Sequence, residues 1–206
     1  MSQIIIDMGS GNTCRNDIKI VKRMIDELHA IDTGKHSIII KWQLFEQAGQ
    51  NTPLDIEVFR WAYDYARLHG YKTTASVFDK PSLAYLLCFD IPFVKLANNR
   101  STDYLIGEAP RRMPIYMSVG TGLFKVRDGV TMLHCISKYP AKLSEYEHMF
   151  GTRYNLMKAV SDHTANFKLW NKYSPEIIEW HYKLPDSTGL DAGKFARTPR
   201  DLKAIL

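Results

Sequence analysis

His163 closes the segment AVSDH and His181 the segment EIIEWH, so two apolar runs each end on an imidazole, and the two imidazoles stand eighteen residues apart. Imidazoles that end neighbouring strands can share a divalent cation and leave coordination positions open for water or substrate. Two lysines are placed as unusually. Lys41 follows Ile38-Ile39-Ile40 and Lys95 lies inside FVKLA. An ammonium set among apolar residues is costly to desolvate unless an anion accompanies it, so the pair points to a phosphate or a carboxylate.

Groups so far apart in the chain need a scaffold that gathers them. Apolar runs of strand length recur at 3–8, 37–42, 72–78, 92–97, 114–119, 130–135, 156–161 and 176–181. Helical periodicity separates the early ones. Ile18, Val21, Ile25 and Leu28 recur on one face, with Asn16 as the expected N-cap and Gly34 beyond the end. The run 54–70 repeats the pattern and stops at Gly70, and a third helix opens at Pro81. The segment around 102–109 reads as an abbreviated helix, and 120–129 as too short and glycine-rich to form one.

Strands alternating with helices imply parallel pairing, and eight such units close a (β/α)8 barrel. The expected fold is therefore α/β, a compact TIM barrel with some shortened or missing helices, built as one domain over residues 1–206. An open doubly wound sheet is disfavoured because no G-x-G-x-x-G follows the first strand. In a barrel the carboxyl ends of the strands form the active face. The polar residues at those ends are Asp7, Lys41, Thr74 with Ser76, Lys95 followed by Asn98, Ser118, His134, Ser161 with His163, and His181.

Composition removes other classes. Net charge is +5, yet the basic residues are dispersed and no zinc-finger or RRM signature occurs, so nucleic acid is not an expected partner. No apolar stretch reaches the ~20 residues of a membrane span, and Met1-Ser2-Gln3 leads directly into Ile4 without a basic leader, which reads as cytoplasmic. Cys14, Cys88 and Cys135 are scattered and read as reduced thiols.

In order along the chain, IIIDMGSGN, IIKWQLF, FVKLANN, MSVGTG, LHCISKYP, AVSDHT, IIEWHYK and GLDA resemble the motif series of the sialic acid synthase (N-acetylneuraminate synthase) family. That resemblance implies condensation of phosphoenolpyruvate with an N-acetylated sugar or related aldehyde. It implies that His163 and His181 hold a divalent metal, Mn2+ or Mg2+. Lys41, Lys95, Ser118 and Ser161, with Thr74, would bind the phosphate and carboxylate of phosphoenolpyruvate. Asp7 would orient water, His134 would line the floor, Tyr139 and Asp191 would face the sugar, and the strand-end residues Ser76 and Asn98 would add to substrate binding. The chain departs from the family at Asp7, where a glutamate is usual, and at Arg100, which replaces a sugar-contacting glutamate and predicts an acceptor with its own negative charge or a much altered pocket. The family's antifreeze-like carboxy-terminal domain is not found before Leu206, so its swapped dimer is not expected and a homo-oligomer is left open. A degenerate phosphoenolpyruvate-binding barrel, or an aldolase or lyase acting on a modified acceptor, remain as alternatives.

Overall fold

The computed structural model describes residues 1–47, 49–120, 128–151 and 158–206. Eight parallel strands close in chain order: β1 (Gln3–Asp7), β2 (Ser37–Leu44), β3 (Lys72–Val77), β4 (Val94–Leu96), β5 (Ile115–Val119), β6 (Val130–Cys135), β7 (Ala159–Ser161) and β8 (Ile177–His181). β1 pairs β2 on one side and β8 on the other, which completes the barrel. Every apolar run singled out in the sequence falls on one strand, and β2 continues two residues past its run, to Leu44. Positions 121–127, and 156 and 157 of the seventh run, lie outside the described residues.

The helices are α1 (Gly11–Cys14), α2 (Ile18–His29), α3 (Ile56–Leu68), α4 (Lys80–Leu86), α5 (Leu105–Glu108), α6 (Leu143–Phe150), α7 (Lys168–Tyr173) and α8 (Pro199–Leu202). α2 buries Val21, Met24, Ile25 and Leu28, while Ile18 remains 42% exposed in the first turn. Its cap is Asp17, whose carboxylate accepts from Lys19 N at 2.8 Å. Asn16 instead fastens a neighbouring loop, donating to Pro53 O at 3.1 Å and accepting from Asp55 N at 2.9 Å. Asp55 caps α3, and Gly70 leaves it with φ +83, in the left-handed region that favours glycine. The connection after β4 is indeed abbreviated, to a 3-10 turn at Arg100–Thr102 and the four residues of α5.

Inside the barrel the alternation of strand side chains stacks two layers. The lower one is apolar and holds Ile5, Ile39, Phe93, Tyr116, Leu133, Ala159 and Ile177. Thr74 takes the β3 place in that layer, with its hydroxyl donating to Phe93 O. Phe93 and Tyr116 stack face to face, centroids 3.9 Å apart and planes 4° apart. This plug supports the layer above it. Truncation by Phe93→Ala is expected to lower unfolding free energy by ~3–5 kcal/mol, measured by urea titration.

Candidate active site

Two residues further along each strand, the same alternation lays down Asp7, Lys41, Ser76, Lys95, Ser118, Cys135, Ser161 and Glu179, one from each of β1 to β8, and all eight line a cavity of about 820 Å3. Lys41 Nζ donates to Asp7 Oδ2 at 2.7 Å and to Ser76 Oγ at 2.8 Å, with Glu179 Oε2 at 3.6 Å. Lys95 Nζ donates to Ser118 Oγ at 2.7 Å and Leu96 O at 3.0 Å, with Glu179 Oε1 at 3.6 Å. Glu179 thus lies between the two ammonium groups. Its Oε2 has no hydrogen-bond partner.

Burial works against all four charges, and the outcome differs between the lysines. At Lys41 burial is outweighed by Asp7 and Glu179, so its ammonium is held above the usual range. At Lys95 burial wins, helped by repulsion from Lys41 and only partly offset by Glu179, so its pKa falls. Burial also opposes ionisation of Asp7, but Lys41, His181 and the Gly9 amide hold that carboxyl at about 2. Glu179 is lowered in the same way, by Lys41 and Lys95 against burial. Lys95 is therefore the cation that an arriving anion would stabilise most.

His163 and His181 stand at the rim of this cavity, ring centroids 5.4 Å apart. His163 Nδ1 lies 2.7 Å from Ile136 O, and because a carbonyl can only accept, this nitrogen carries the proton. Ser161 Oγ spends its one proton on Glu179 Oε1 at 2.8 Å, although His163 Nε2 is 3.2 Å away. The Nε2 lone pair is left for another partner. Burial and the nearby His181 push the His163 imidazole down to about 3, which keeps it neutral. His181 Nδ1 is buried without a hydrogen bond, 3.4 Å from Asp7 Oδ2 and 3.8 Å from Asp191 Oδ1. No three His, Cys, Asp or Glu side chains among the described residues form a ready-made cation cage. Two imidazoles with free nitrogen donors and acidic neighbours suit a cation that keeps open positions.

The mouth is built by loops. Gly9, with φ +78, turns the chain after β1, and a Cβ there would come within 2.2 Å of Thr13 Oγ1. Asn98 donates to Ser137 Oγ at 2.9 Å and accepts from Gly120 N at 3.2 Å. Tyr139 covers His163 at a centroid distance of 4.3 Å. Asp191, on a 3-10 turn at Leu190–Ala192, accepts from Gln43 Nε2 at 3.3 Å, and burial with the Asp7 charge raises its pKa.

The NeuB family model matches residues 18–206. The chain belongs to the NeuB family. Comparison with curated protein sequences gives no match. Among solved structures, this NeuB-family chain resembles the N-acetylneuraminic acid (sialic acid) synthetase of Leptospira borgpetersenii serovar Hardjo-bovis, with TM-score 0.77 and 22% identity, over 98% of this chain and 80% of that one. It also resembles the Chromobacterium violaceum ATCC 12472 protein carrying the name spore coat polysaccharide biosynthesis protein E, with TM-score 0.78 and 17% identity, over 99% and 72% of the two chains. Bacillus subtilis SpsE, a spore coat polysaccharide biosynthesis protein, matches with TM-score 0.71 and 16% identity, over 98% and 65%.

Of the residues expected from the sequence, Asp7, Lys41, Ser76, Lys95, Asn98, Ser118, Tyr139, Ser161, His163, His181 and Asp191 all line this cavity of the NeuB-family barrel. Two do not. Thr74 sits a layer too deep, and His134 is out of phase with its strand: Leu133 and Cys135 point inward, so the imidazole turns outward and meets Phe150 of α6 edge-on at 5.3 Å. Glu179, Cys135, Gln43 and Ser137 belong to the site and were missed. Glu179 was within reach, because it precedes His181 by two residues and so shares its face. Cys135 and Cys14 are buried, with burial pushing each thiol up to about 11, whereas Cys88 is exposed. Titration with Ellman's reagent at pH 8 is expected to show one thiol reacting at once and two only on unfolding, by absorbance at 412 nm.

Proposed function

We propose that this NeuB-family protein is a synthase that condenses phosphoenolpyruvate with an N-acetylated aldose or related aldehyde and releases phosphate. The observation that carries the reading is the pairing, in one cavity, of a buried anion seat at Lys41 and Lys95 with two imidazoles that each keep one ring nitrogen open, Nε2 of His163 and Nδ1 of His181. A cation-binding rim over an anion-binding floor is what this reaction needs. A barrel that only held the anion would have no use for the rim.

Lys41 and Lys95, with Ser76, Ser118 and Ser161, bind the phosphate and carboxylate of phosphoenolpyruvate. Held by His163 and His181, a divalent cation (Mn2+ or Mg2+) would supply Lewis-acid polarisation of the acceptor carbonyl. Asn98, Tyr139 and Asp191 orient the acceptor so that its carbonyl carbon meets the enol carbon. Bond formation leaves positive charge on the carbon that bears the phosphate ester. Asp7 directs water to that carbon; a carboxyl held at about 2 is a weak base, so its role is orientation. One proton of that water ends on the oxygen of the former acceptor carbonyl. As the C–O bond to phosphate breaks, its electron pair leaves with phosphate, the remaining hydroxyl gives its proton to the phosphate and becomes the new ketone, and the ammonium groups meet the departing charge. Thr74 and His134 take no part, since neither lines the cavity.

The acceptor is uncharged on this reading. Arg100 is exposed and outside the lining, so the anionic acceptor expected from it has no partner there. Above the floor layer, Asp191 is the one acidic or basic residue among the described lining residues besides the two histidines, and it would repel a phosphate. Phosphate release from phosphoenolpyruvate is expected with Mn2+ and a neutral N-acetylated aldose, to stop with EDTA and in His163→Ala. A clear preference for the phosphorylated sugar would overturn the acceptor assignment, and no release from any aldose in the panel would overturn the synthase. Lys95→Met should lower kcat/KM for phosphoenolpyruvate by about 10²–10³-fold, read in the same assay.

A further inference from the structure

Behind the two imidazoles lies a buried ion pair that the chemistry above leaves unused. Asp162 stands between Ser161 and His163, and Trp180 between Glu179 and His181, so alternation turns both away from the cavity. They meet on the far side of the wall. Trp180 Nε1 donates to Asp162 Oδ2 at 2.9 Å, and Thr164 N to Asp162 Oδ1 at 2.8 Å. Arg197 closes the group from the carboxy-terminal segment. Its Nη2 donates to Asp162 Oδ2 at 3.3 Å, to Asn166 O at 2.8 Å and to Thr164 Oγ1 at 3.5 Å, and its Cζ lies 4.7 Å from the centroid of the Phe167 ring.

All three central side chains are sealed from solvent: Asp162 and Trp180 are 0% exposed and Arg197 2%. The Arg197 backbone is tied to the same strand end, its N–H donating to His181 O at 2.7 Å and its carbonyl accepting from Lys183 N at 2.9 Å. Two residues earlier, Phe195 meets the His181 ring edge-on with centroids 4.9 Å apart. A buried ion pair adds little stability over a well-packed apolar replacement, so stability alone is a weak reason for it. Geometry is a stronger one. The carboxylate between the two histidine-bearing strands receives one donor from Trp180 of β8 and one from Arg197 Nη2 in the segment beyond it, and the same Nη2 also donates to Asn166 O, which sets how the ends of β7 and β8 lie against each other.

We propose that Arg197 is a positioning residue: through Asp162 and Trp180 it fixes the strand ends so that His163 and His181 converge. The inference rests on the synthase reading for what the imidazoles serve, and on the ion-pair geometry for how they are held.

Arg197→Lys keeps the charge and loses the Nη2 that joins Asp162 to the Asn166 carbonyl, while Trp180→Phe removes one donor from the same carboxylate and leaves the ion pair. Both are compared with the wild type as full chains, without metal, by NMR of 15N-histidine-labelled protein, with resonances assigned through single His→Gln variants. In Arg197→Lys the His163 and His181 signals are expected to shift or broaden, while those of His29, His69 and His148 stay in place, and Trp180→Phe moves the same two signals less. Mn2+ affinity by electron paramagnetic resonance should fall about 10–100-fold in Arg197→Lys. Unchanged His163 and His181 signals in folded Arg197→Lys would overturn the inference, whatever the protein does with phosphoenolpyruvate. Should that variant not fold, the same two signals in Trp180→Phe decide. A wild type that takes up no Mn2+ would sink the cation part of the synthase reading, and the metal-free NMR comparison would still judge Arg197.

Discussion

The Asp7 carboxylate accepts from the Lys41 ammonium at 2.7 Å with both side chains nearly sealed from water, and Glu179 lies 3.6 Å from Lys41 and from Lys95. None of these four charges could be buried alone, because removing a single ion from water costs several kcal/mol after relaxation. Together they form a layer that the interior tolerates. The contributing strands are β1, β2, β4 and β8, so the layer exists only when the sheet closes and β8 returns beside β1.

The charges do not balance evenly, and that imbalance gives the site direction. Lys41 donates to the Asp7 carboxylate and a hydroxyl, whereas Lys95 donates to a hydroxyl and a carbonyl, and Glu179 lies 3.6 Å from both, so Lys41 has two acids beside it and Lys95 one. Desolvation therefore dominates at Lys95 and the pair of acids dominates at Lys41. An anion entering from the mouth finds one ammonium already neutralised by its neighbours and one still short of negative charge. Above them, hydroxyl geometry leaves His163 Nε2 open and packing leaves His181 Nδ1 without a donor or acceptor. Floor and rim thus differ in the sign of what they would take up.

Beneath the layer, the stacked Phe93 and Tyr116 rings and their apolar neighbours keep water out from below. Behind the wall, the Asp162, Trp180 and Arg197 group couples the outward face of β7 and β8 to the inward one. The site is held from two sides by groups that never touch its cavity.

Much of this was legible in the residues. The eight strand positions follow from apolar runs and their spacing, because burial of a strand in a barrel demands apolar residues over its whole length. Lys41, Lys95, His163 and His181 stood out because polar groups inside such runs need partners. The same burial on both faces removes the in-out alternation that would show phase, so nothing local says whether Leu133 and Cys135 or His134 faces the axis. Pairing to the neighbouring strands settled that, as it settled the depth of Thr74. Likewise Glu179 acquires meaning only beside two lysines that lie 138 and 84 residues earlier in the chain (179 − 41 and 179 − 95). Local chemistry thus determined which residues belong to strand ends and could bind ions. Closure of the barrel decided which of them meet, because distance between side chains far apart in sequence is a property of strand register alone.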